Sequence, residues 1–262
     1  MKLDRVILGC DTHPDYLPFW NLVSRAWSTI IGIQPTLVLI ADEIPETLDR
    51  TYGEIHLVKP ISGIPTARQA QIVRFFFPSQ FPDEVCLTSD IDMVPLSSDY
   101  FNGLVKDVPD NNLAVYSADS TLPGMPNHPS FAVGYNAAKG KVFEEIVQGN
   151  MENFEEKLRE WVSEGHEWFT DEIMFYKSWS QWAEKSTRTS FFRRGYNLTP
   201  DPTHINRIDR SNNCAYRFDL LQRGYYFDFH MPRPYTQYEE QIHDVVNVLT
   251  NNQFFEEDGC LM

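Results

Sequence analysis

An uninterrupted apolar run from Thr36 to Ala41 (TLVLIA) constrains the fold of this chain more than any other feature. It lacks the polar residue at every second position that marks a strand with one face in water. Runs of this kind are typical of strands that are covered on both faces, and such strands occur mainly in parallel sheets. The run therefore predicts an α/β domain with a central, mostly parallel sheet flanked by helices.

The segments around this run fit the same architecture. Residues 6–10 (VILGC) form a short β-like run, residues 16–31 carry apolar side chains at helical spacing, and residues 54–58 resemble a third strand. A further helix is predicted from Pro65 to Phe77, and it leads into the apolar run at residues 85–87. Alternation of strand and helix with short connections predicts parallel pairing and right-handed crossovers.

The rest of the chain continues this alternation less regularly. We predict strands over 113–118, 131–135 and 224–229, helices over 139–148, 152–162, 168–182 and 239–249, and loops over 122–129 and 187–213. The sequence has no internal repeat, low-complexity tract or recognisable linker, and it therefore predicts a single domain over residues 1–262.

The overall charge limits the partners that the chain can bind. With 262 residues and a formal net charge of -15, it has no basic surface for a nucleic acid. No segment is long and apolar enough to predict a transmembrane helix, and residues 1–5 do not resemble a signal peptide. The four cysteines are widely spaced, which indicates free thiols in a reducing compartment. We therefore expect a cytoplasmic protein.

Two aspartates follow the apolar run at residues 85–87, after Thr88 and Ser89. In an extended chain, side chains alternate, so Asp90 and Asp92 project from one face while Ile91 returns to the core. Two neighbouring carboxylates at the end of a buried strand repel each other, and a cation relieves that repulsion. Oxygen ligands suit Mg²⁺ or Mn²⁺. The alternative is a surface turn in which one aspartate caps a helix.

The Asp90–Asp92 pair, preceded by a β-α-β half, resembles the DxD motif of GT-A fold glycosyltransferases, a Rossmann-like fold of nucleotide-diphospho-sugar transferases. The resemblance is nearest to the glycogenin-like and galactosyltransferase-like branches. It implies a nucleotide-sugar donor, with UDP preferred, a saccharide or other hydroxyl acceptor, and Mn²⁺ or Mg²⁺ as cofactor. It also implies a nucleotide-binding half over residues 1–92 and a half over 93–262 that binds the acceptor and completes the metal site.

Within this resemblance, several residues of the first half are expected to bind the donor. Asp11 and Tyr16 lie in a loop similar to the one that holds base and ribose, although a helix-capping turn is an equally simple interpretation. Arg68 and Arg74 are about 240° apart around one helix, so at most one of them reaches the donor. We choose Arg68, because a helix N-terminus also favours phosphate.

In the second half, the resemblance implies further donor contacts and the catalytic groups. Asn136 ends a run similar to the family's aromatic–Gly–Asn segment, and Asp119 is a candidate for the hydroxyls of the donor sugar. Asp171 and Glu172 are candidates for the general base if the enzyme inverts. Alternatively, Thr170 caps the helix, and the two acids only complement its dipole.

A late histidine completes the expected metal site. The segment from Tyr226 to Pro234 resembles the family's His-x-x-x-Lys/Arg-Pro segment, which implies that His230 is the third metal ligand and that Arg233 contacts the diphosphate. In this scheme Asp92 ligates the metal directly, and Asp90 ligates it and also contacts the ribose. A lone histidine after a strand is otherwise usually structural.

Three other functions use parts of the same pattern. A nucleotidyltransferase shares the architecture and the metal, but residues 8–12 lack a glycine-rich phosphate loop. A haloacid-dehalogenase-like phosphatase uses a similar Asp-x-Asp motif, but the chain has no downstream Gly-Asp pair of the expected kind. A non-catalytic sugar- or protein-binding module has no use for a metal site. The donor sugar, the acceptor and the stereochemical outcome are not predicted.

Overall fold

The computed structural model describes residues 1–116, 133–183, 187–192 and 206–257. The strands in these ranges are β1 (Arg5–Asp11), β2 (Gln34–Ile40), β3 (Glu54–Val58), β4 (Val85–Ser89), β5 (Met93–Pro95), β6 (Leu113–Val115), β7 (Asn136–Lys139), β8 (Thr189–Phe191), β9 (Arg207–Asp209) and β10 (Asp228–His230). The α-helices are α1 (Trp20–Ala26), α2 (Thr66–Phe76), α3 (Ser98–Val105), α4 (Gly140–Val147), α5 (Phe154–Ser163), α6 (Thr170–Ala183), α7 (Phe218–Gln222) and α8 (Tyr235–Glu257).

A central sheet of seven described strands has the order β3-β2-β1-β4-β7-β6-β8. The four strands from β3 to β4 are mutually parallel. Strand β7 runs antiparallel to both of its neighbours, whereas β6 and β8 are parallel to each other. The sheet is therefore mostly parallel and flanked by helices, which confirms the predicted fold class.

Side chains alternate between two apolar cores on opposite faces of this sheet. On β1, Val6 and Leu8 join the core that also contains Trp20 and Trp27, whereas Ile7 joins the opposite core with the residues of α2. On β2, Leu37, Val38 and Leu39 are all fully buried. The uninterrupted apolar run of β2 is explained by this burial, because helices cover both faces of the strand.

A second, smaller sheet joins β5, which follows the aspartate turn, to two strands from later in the chain. It has the order β5-β10-β9, with β10 antiparallel to β5 and parallel to β9. Strands β8 and β9 lie where residues 187–213 were predicted to form loops. Each has only three residues, which is too short for an alternating pattern to stand out from the surrounding polar residues.

Several predicted boundaries differ from the structure. The strand predicted at 131–135 lies partly outside the described residues, and residues 133–135 are not in a strand; β7 begins at Asn136. The predicted helix at 16–31 consists of a 3₁₀ turn (Leu17–Phe19), then α1, and then a π-helical turn (Trp27–Ile31). Across the described part of the chain, none of the helices has the length and apolarity needed to cross a membrane.

Helix α2 lies unusually close to strand β1. A Cβ atom added to Gly9 would be 1.9 Å from the carbonyl oxygen of Ala70. Only glycine allows this approach, because any side chain would overlap the helix backbone. The contact fixes the rotation of α2 on the sheet, and with it the set of α2 side chains at the carboxyl end of β1.

Candidate functional site

A cavity of about 560 Å³ opens at the carboxyl ends of β1 and β4, where ligands bind in open α/β sheets. It is lined by Gly9, Cys10, Asp11, Tyr16, Ala67, Ala70, Gln71, Arg74, Asp90, Ile91, Asp92, Met93, Val133, Gly134, Tyr135, Trp168, Phe169, Asp171, Glu172, Arg207, Arg210, His230 and Arg233. Most of the predicted site residues therefore meet at one place.

The two aspartates reach this cavity from a turn and not from an extended strand. Strand β4 ends at Ser89, and the amide N–H of Met93 donates to the carbonyl oxygen of Asp90 at 3.3 Å. The predicted alternation of side chains therefore does not extend through Asp90 and Asp92. Both carboxylates still line the cavity, but each has different neighbours.

Asp92 is buried and surrounded by cationic side chains. Its Oδ2 atom lies 2.6 Å from Nη1 of Arg210, 3.6 Å from Nε2 of His230 and 3.8 Å from Nε of Arg233. Burial acts to raise the pKa of Asp92, but the contacts with His230 and Arg210 outweigh it and hold this pKa below its ordinary value. Asp92 is therefore a carboxylate, although it is only 5% exposed.

His230 is held between two carboxylates. Its Nδ1 atom lies 3.2 Å from Oδ2 of Asp209, the residue directly opposite it on the neighbouring strand β9. Oδ1 of Asp209 accepts from the amide N–H of Ser211 at 2.8 Å, so both oxygens of this carboxylate are engaged. A hydrogen bond from Nδ1 to Asp209 directs Nε2 towards Asp92. Burial lowers the pKa of His230, but the two carboxylates outweigh burial and raise it.

The donor atoms of Asp92 and His230 fit a divalent cation as a pair. Two ligand atoms 3.6 Å apart can both lie about 2.1 Å from one ion. Mg²⁺ commonly uses one or two carboxylates and takes its other ligands from phosphates and water. Among the described residues, no three His, Cys, Asp or Glu side chains are grouped closely enough to hold a metal. Asp90 is apart from the pair because it is bound by an arginine.

That arginine is Arg74, which bridges two acidic residues of the site. Its Nη1 donates to Oδ1 of Asp90, and its Nη2 donates to Oδ2 of Asp171 at 2.8 Å. Burial acts to lower the pKa of Arg74, but these two carboxylates outweigh it and raise that pKa. Asp171 is also buried, and burial raises its pKa despite the charge of Arg74. Arg74 therefore connects the aspartate turn to the start of α6.

Arg74, and not Arg68, is the α2 arginine at the cavity. The cavity-lining residues of α2 are Ala67, Ala70, Gln71 and Arg74, which follow the i, i+3, i+4, i+7 spacing of one helix face. Arg68 lies on the adjacent face, where its Nη1 donates to Oγ1 of Thr170 at 2.8 Å. The prediction of Arg68 relied on the helix dipole. The rotation of α2 is set instead by its packing on β1, and this rotation places Arg74 at the cavity.

Glu172, a carboxyl group that lines the cavity, has a strongly raised pKa. Burial raises it from its ordinary value of 4.5 to about 8, and the charges of Asp171 and Asp90 add to the effect. A carboxyl group with this pKa exchanges its proton near neutral pH. It can therefore accept a proton from a bound hydroxyl group.

The end of the cavity beside β1 is formed by Asp11, Tyr16 and Arg233. Asp11 accepts from the amide N–H of His13 at 3.0 Å and from Oγ1 of Thr66 at 2.8 Å, so it orders its own loop and ties it to the start of α2 but caps neither α1 nor α2. The guanidinium carbon of Arg233 lies 4.7 Å from the centre of the Tyr16 ring. These contacts leave an aromatic side chain and a cation at the same end of the cavity.

Besides Arg68, the predicted donor-binding residue Asn136 does not line this cavity, and another, Asp119, lies outside the described residues. Asn136 is fully buried on β7, and its side-chain amide atoms have no hydrogen-bond partner among the described residues. It cannot contact a donor because the sheet encloses it; Gly134, two residues earlier, lines the cavity instead.

Sequence reasoning missed the polar residues of β9. Arg207 is buried and donates to both carboxylate oxygens of Asp228, at 2.7 and 2.5 Å, which ties β9 to β10. Asp209 and Arg210 then reach His230 and Asp92. In the sequence Asn206 to Arg210 (NRIDR), only Ile208 is apolar, so no alternation of apolar and polar residues marks this strand.

Comparison with known proteins gives a likeness in three dimensions only. No protein-family model matches the chain, and no curated protein matches its sequence. Among solved structures, the glycosyltransferase GlyE from Streptococcus pneumoniae TIGR4 is similar, with a TM-score of 0.50 and 14% identity over 98% of this chain. Its apo form gives a TM-score of 0.52 at the same identity. The chain spans 64% of the length of those structures.

At 14% identity this likeness shows the fold and not the activity. The chemistry of the site depends on the side chains at the carboxyl edge of the parallel strands.

Proposed function

We propose that this protein is a glycosyltransferase that moves a sugar from a nucleotide-diphosphate sugar, with UDP preferred, to a hydroxyl acceptor in the cytoplasm. We further propose that it uses Mn²⁺ or Mg²⁺. The observation that carries the proposal is the approach of Asp92, in the turn before β5, to His230 on β10, at 3.6 Å, with Arg210 and Arg233 beside them. A similar fold in a solved glycosyltransferase supports it.

The charges at this point suit the departure of a diphosphate. Cleavage of the bond between the anomeric carbon and the phosphate leaves negative charge on the leaving group. A divalent cation held by Asp92 and His230, with its other ligands from the diphosphate and water, would supply Lewis-acid neutralisation of that charge. Arg210 and Arg233 already converge on Asp92, so their N–H groups can donate to phosphate oxygens that enter beside it.

The opposite wall of the cavity suits the acceptor. Glu172 is the better candidate for general base if the reaction inverts, because its pKa of about 8 matches proton transfer near neutral pH. Asp171 is already an acceptor for Arg74 and is better placed to hold that arginine in position. If the reaction retains configuration, neither residue is needed as a base.

A screen of nucleotide-sugar hydrolysis with and without Mn²⁺ tests this proposal. We expect Mn²⁺-dependent release of UDP or another nucleoside diphosphate by the full chain. Asp92→Ala and His230→Ala should each reduce it by at least about 100-fold, since each removes a ligand. Asp219→Ala, which changes an exposed aspartate of α7, should leave it unchanged. Equal hydrolysis without metal, or in the ligand variants, would contradict the proposed metal site.

The same assays separate the alternative functions. A nucleotidyltransferase would release inorganic diphosphate from a nucleoside triphosphate and a sugar phosphate. A haloacid-dehalogenase-like phosphatase would release phosphate from a simple phosphoester. Thermal stabilisation by UDP or GDP that depends on Mn²⁺, without either of these products, supports the transferase.

A further inference from the structure

The cavity has an exposed aromatic wall that the donor chemistry does not use. All six tryptophans lie within the described residues, and among them only Trp168 is exposed, at 54%. Trp168 lines the cavity together with its neighbour Phe169. A single exposed apolar side chain is ordinary on a protein surface, but an exposed indole at the edge of a polar cavity is available to a ligand.

The turn that carries Trp168 is fixed on both sides. Trp168 lies in a 3₁₀ turn (Glu167–Phe169) directly before α6. The amide N–H of Phe169 donates to the carbonyl of His166 at 3.1 Å, and Oγ1 of Thr170 donates to the carbonyl of Glu167 at 2.7 Å. Arg68 donates to Thr170, which anchors the turn to α2. A ligand that stacks on this indole therefore does not have to order the backbone first.

The indole and a carboxyl group face the same cavity. Trp168 and Glu172 are four residues apart across the start of a helix, a spacing that puts two side chains on one face, and both line the cavity. A pyranose ring presents a face of C–H groups and an edge of hydroxyl groups. The C–H face packs on an aromatic ring, and the hydroxyl groups donate to a carboxylate or accept from a carboxylic acid.

The charges at this wall select against anionic ligands. Asp90 and Asp171 line this part of the cavity beside Glu172, and Arg74, which binds both aspartates, supplies only one positive charge against two carboxylates. An acceptor that carries a carboxylate or phosphate would add another negative charge beside them. A neutral saccharide meets no such repulsion.

We propose that Trp168 and Glu172 form the acceptor subsite, with Trp168 as a stacking platform, and that the acceptor is a neutral pyranose saccharide. This inference rests on the proposed glycosyl transfer and specifies its acceptor. Arg68, assigned from the sequence to the donor, then has a positioning role, because it holds the turn that presents the indole.

Tryptophan fluorescence of the full chain tests the subsite without any reaction. Lactose and cellobiose are the probes, sorbitol is an acyclic polyol control, and glucose 6-phosphate is an anionic control. We expect a saturable emission change with the two disaccharides and none with either control. The change should persist in Trp179→Phe, whose indole is partly buried and bonded to Thr189, and disappear in Trp168→Phe.

A second measurement follows binding itself. Saturation-transfer NMR with the same disaccharides should show binding about tenfold weaker in Trp168→Ala than in wild type, because the stacking surface is lost. Trp168 is exposed, so neither substitution removes core packing. The proposal is overturned by an emission change that survives in Trp168→Phe, or by wild-type affinity in Trp168→Ala. It is also overturned if neither disaccharide has an effect up to about 100 mM, where millimolar binding is saturated.

The binding test separates a failure of this inference from a failure of the proposed donor chemistry. If lactose or cellobiose perturbs Trp168 but no nucleotide-sugar is hydrolysed, the subsite stands and the transferase proposal fails. If a nucleotide-sugar is hydrolysed but neither disaccharide perturbs Trp168, the transferase stands and this subsite fails.

Discussion

Asp92 shows how a single carboxylate acquires its properties from neighbours that are distant in sequence. A carboxylate that is only 5% exposed is costly to keep charged unless cations compensate it. Arg210 and His230, which are more than 100 residues downstream, provide that compensation. A bound cation would take over this role, which would free Arg210 to bind the phosphates.

Asp209 is predicted to position His230 for a metal. Asp209→Asn keeps the side-chain size and the bond from the Ser211 amide but removes the charge that orients the imidazole. Loss of such a carboxylate beside a metal-binding histidine typically weakens metal affinity by about 10- to 100-fold. Titration calorimetry of Mn²⁺ in the presence of UDP measures the change. Asp219→Asn is the control, and unchanged affinity in Asp209→Asn would show that the histidine does not need this contact.

Titration of Glu172 is predicted to lower the free energy of unfolding as the pH rises. Its pKa is about 8 when folded and 4.5 when exposed, so the folded state binds the proton more tightly. Its contribution to the free energy of unfolding is therefore complete below about pH 4.5 and is lost as the pH rises towards 8. Glu172→Gln mimics the protonated form, so its free energy of unfolding does not fall through this titration.

The measurement compares urea unfolding of Glu172→Gln and wild type from pH 5 to pH 9 in EDTA, which removes competing metal ions. The difference in unfolding free energy should move in favour of the variant as the pH rises. A difference that is constant across this range would show that Glu172 titrates normally.

At the scale of elements, the contact between β1 and α2 determines which helix face reaches the cavity. Gly9→Ala would place a methyl group against the carbonyl oxygen of Ala70, so the helix must shift. We expect the free energy of unfolding to fall by at least about 3 kcal/mol, which is at the upper end for overpacking. The loss is large because the added methyl group meets helix backbone, which moves less easily than a side chain. Chemical denaturation measures this loss. Donor hydrolysis should also fall, because Arg74 moves with α2.

Gly103 provides the matched control for this substitution. It lies in α3, and a Cβ atom there would meet no other atom within 4 Å. Gly103→Ala should therefore stabilise the protein by about 0.5–1 kcal/mol, since alanine favours a helix over glycine. Equal effects at the two positions would contradict the close approach of β1 and α2.

At the scale of the whole molecule, the two halves of the chain share one sheet. Strand β4, from the first half, pairs with β1 on one side and with β7, from the second half, on the other. Unfolding of either half would break the pairing between β4 and β7 and leave an unpaired strand edge on the other half. We expect a single calorimetric transition for the full chain, with equal calorimetric and van't Hoff enthalpies. Two resolved transitions would contradict the predicted single domain over residues 1–262.

The sequence by itself determined the architecture and the edge of the sheet that carries the site. Continuous apolar runs such as residues 36–41 require cover on both faces, and that requirement fixes a mostly parallel sheet between helices. Polar residues that end such runs, Asp11 and Asp90 among them, must then lie at the carboxyl edge. These are local properties of the chain, so periodicity and hydrophobicity are sufficient to predict them.

Only the tertiary structure decided which side chains meet at that edge. The preference for Arg74 over Arg68 depends on the rotation of α2, which is set by its contact with Gly9. The pairing of Asp92 with Arg210 joins residues 118 positions apart. A three-residue strand such as β9 leaves little pattern in the sequence. Contacts of this kind arise from packing between elements, and no local preference of the chain encodes them.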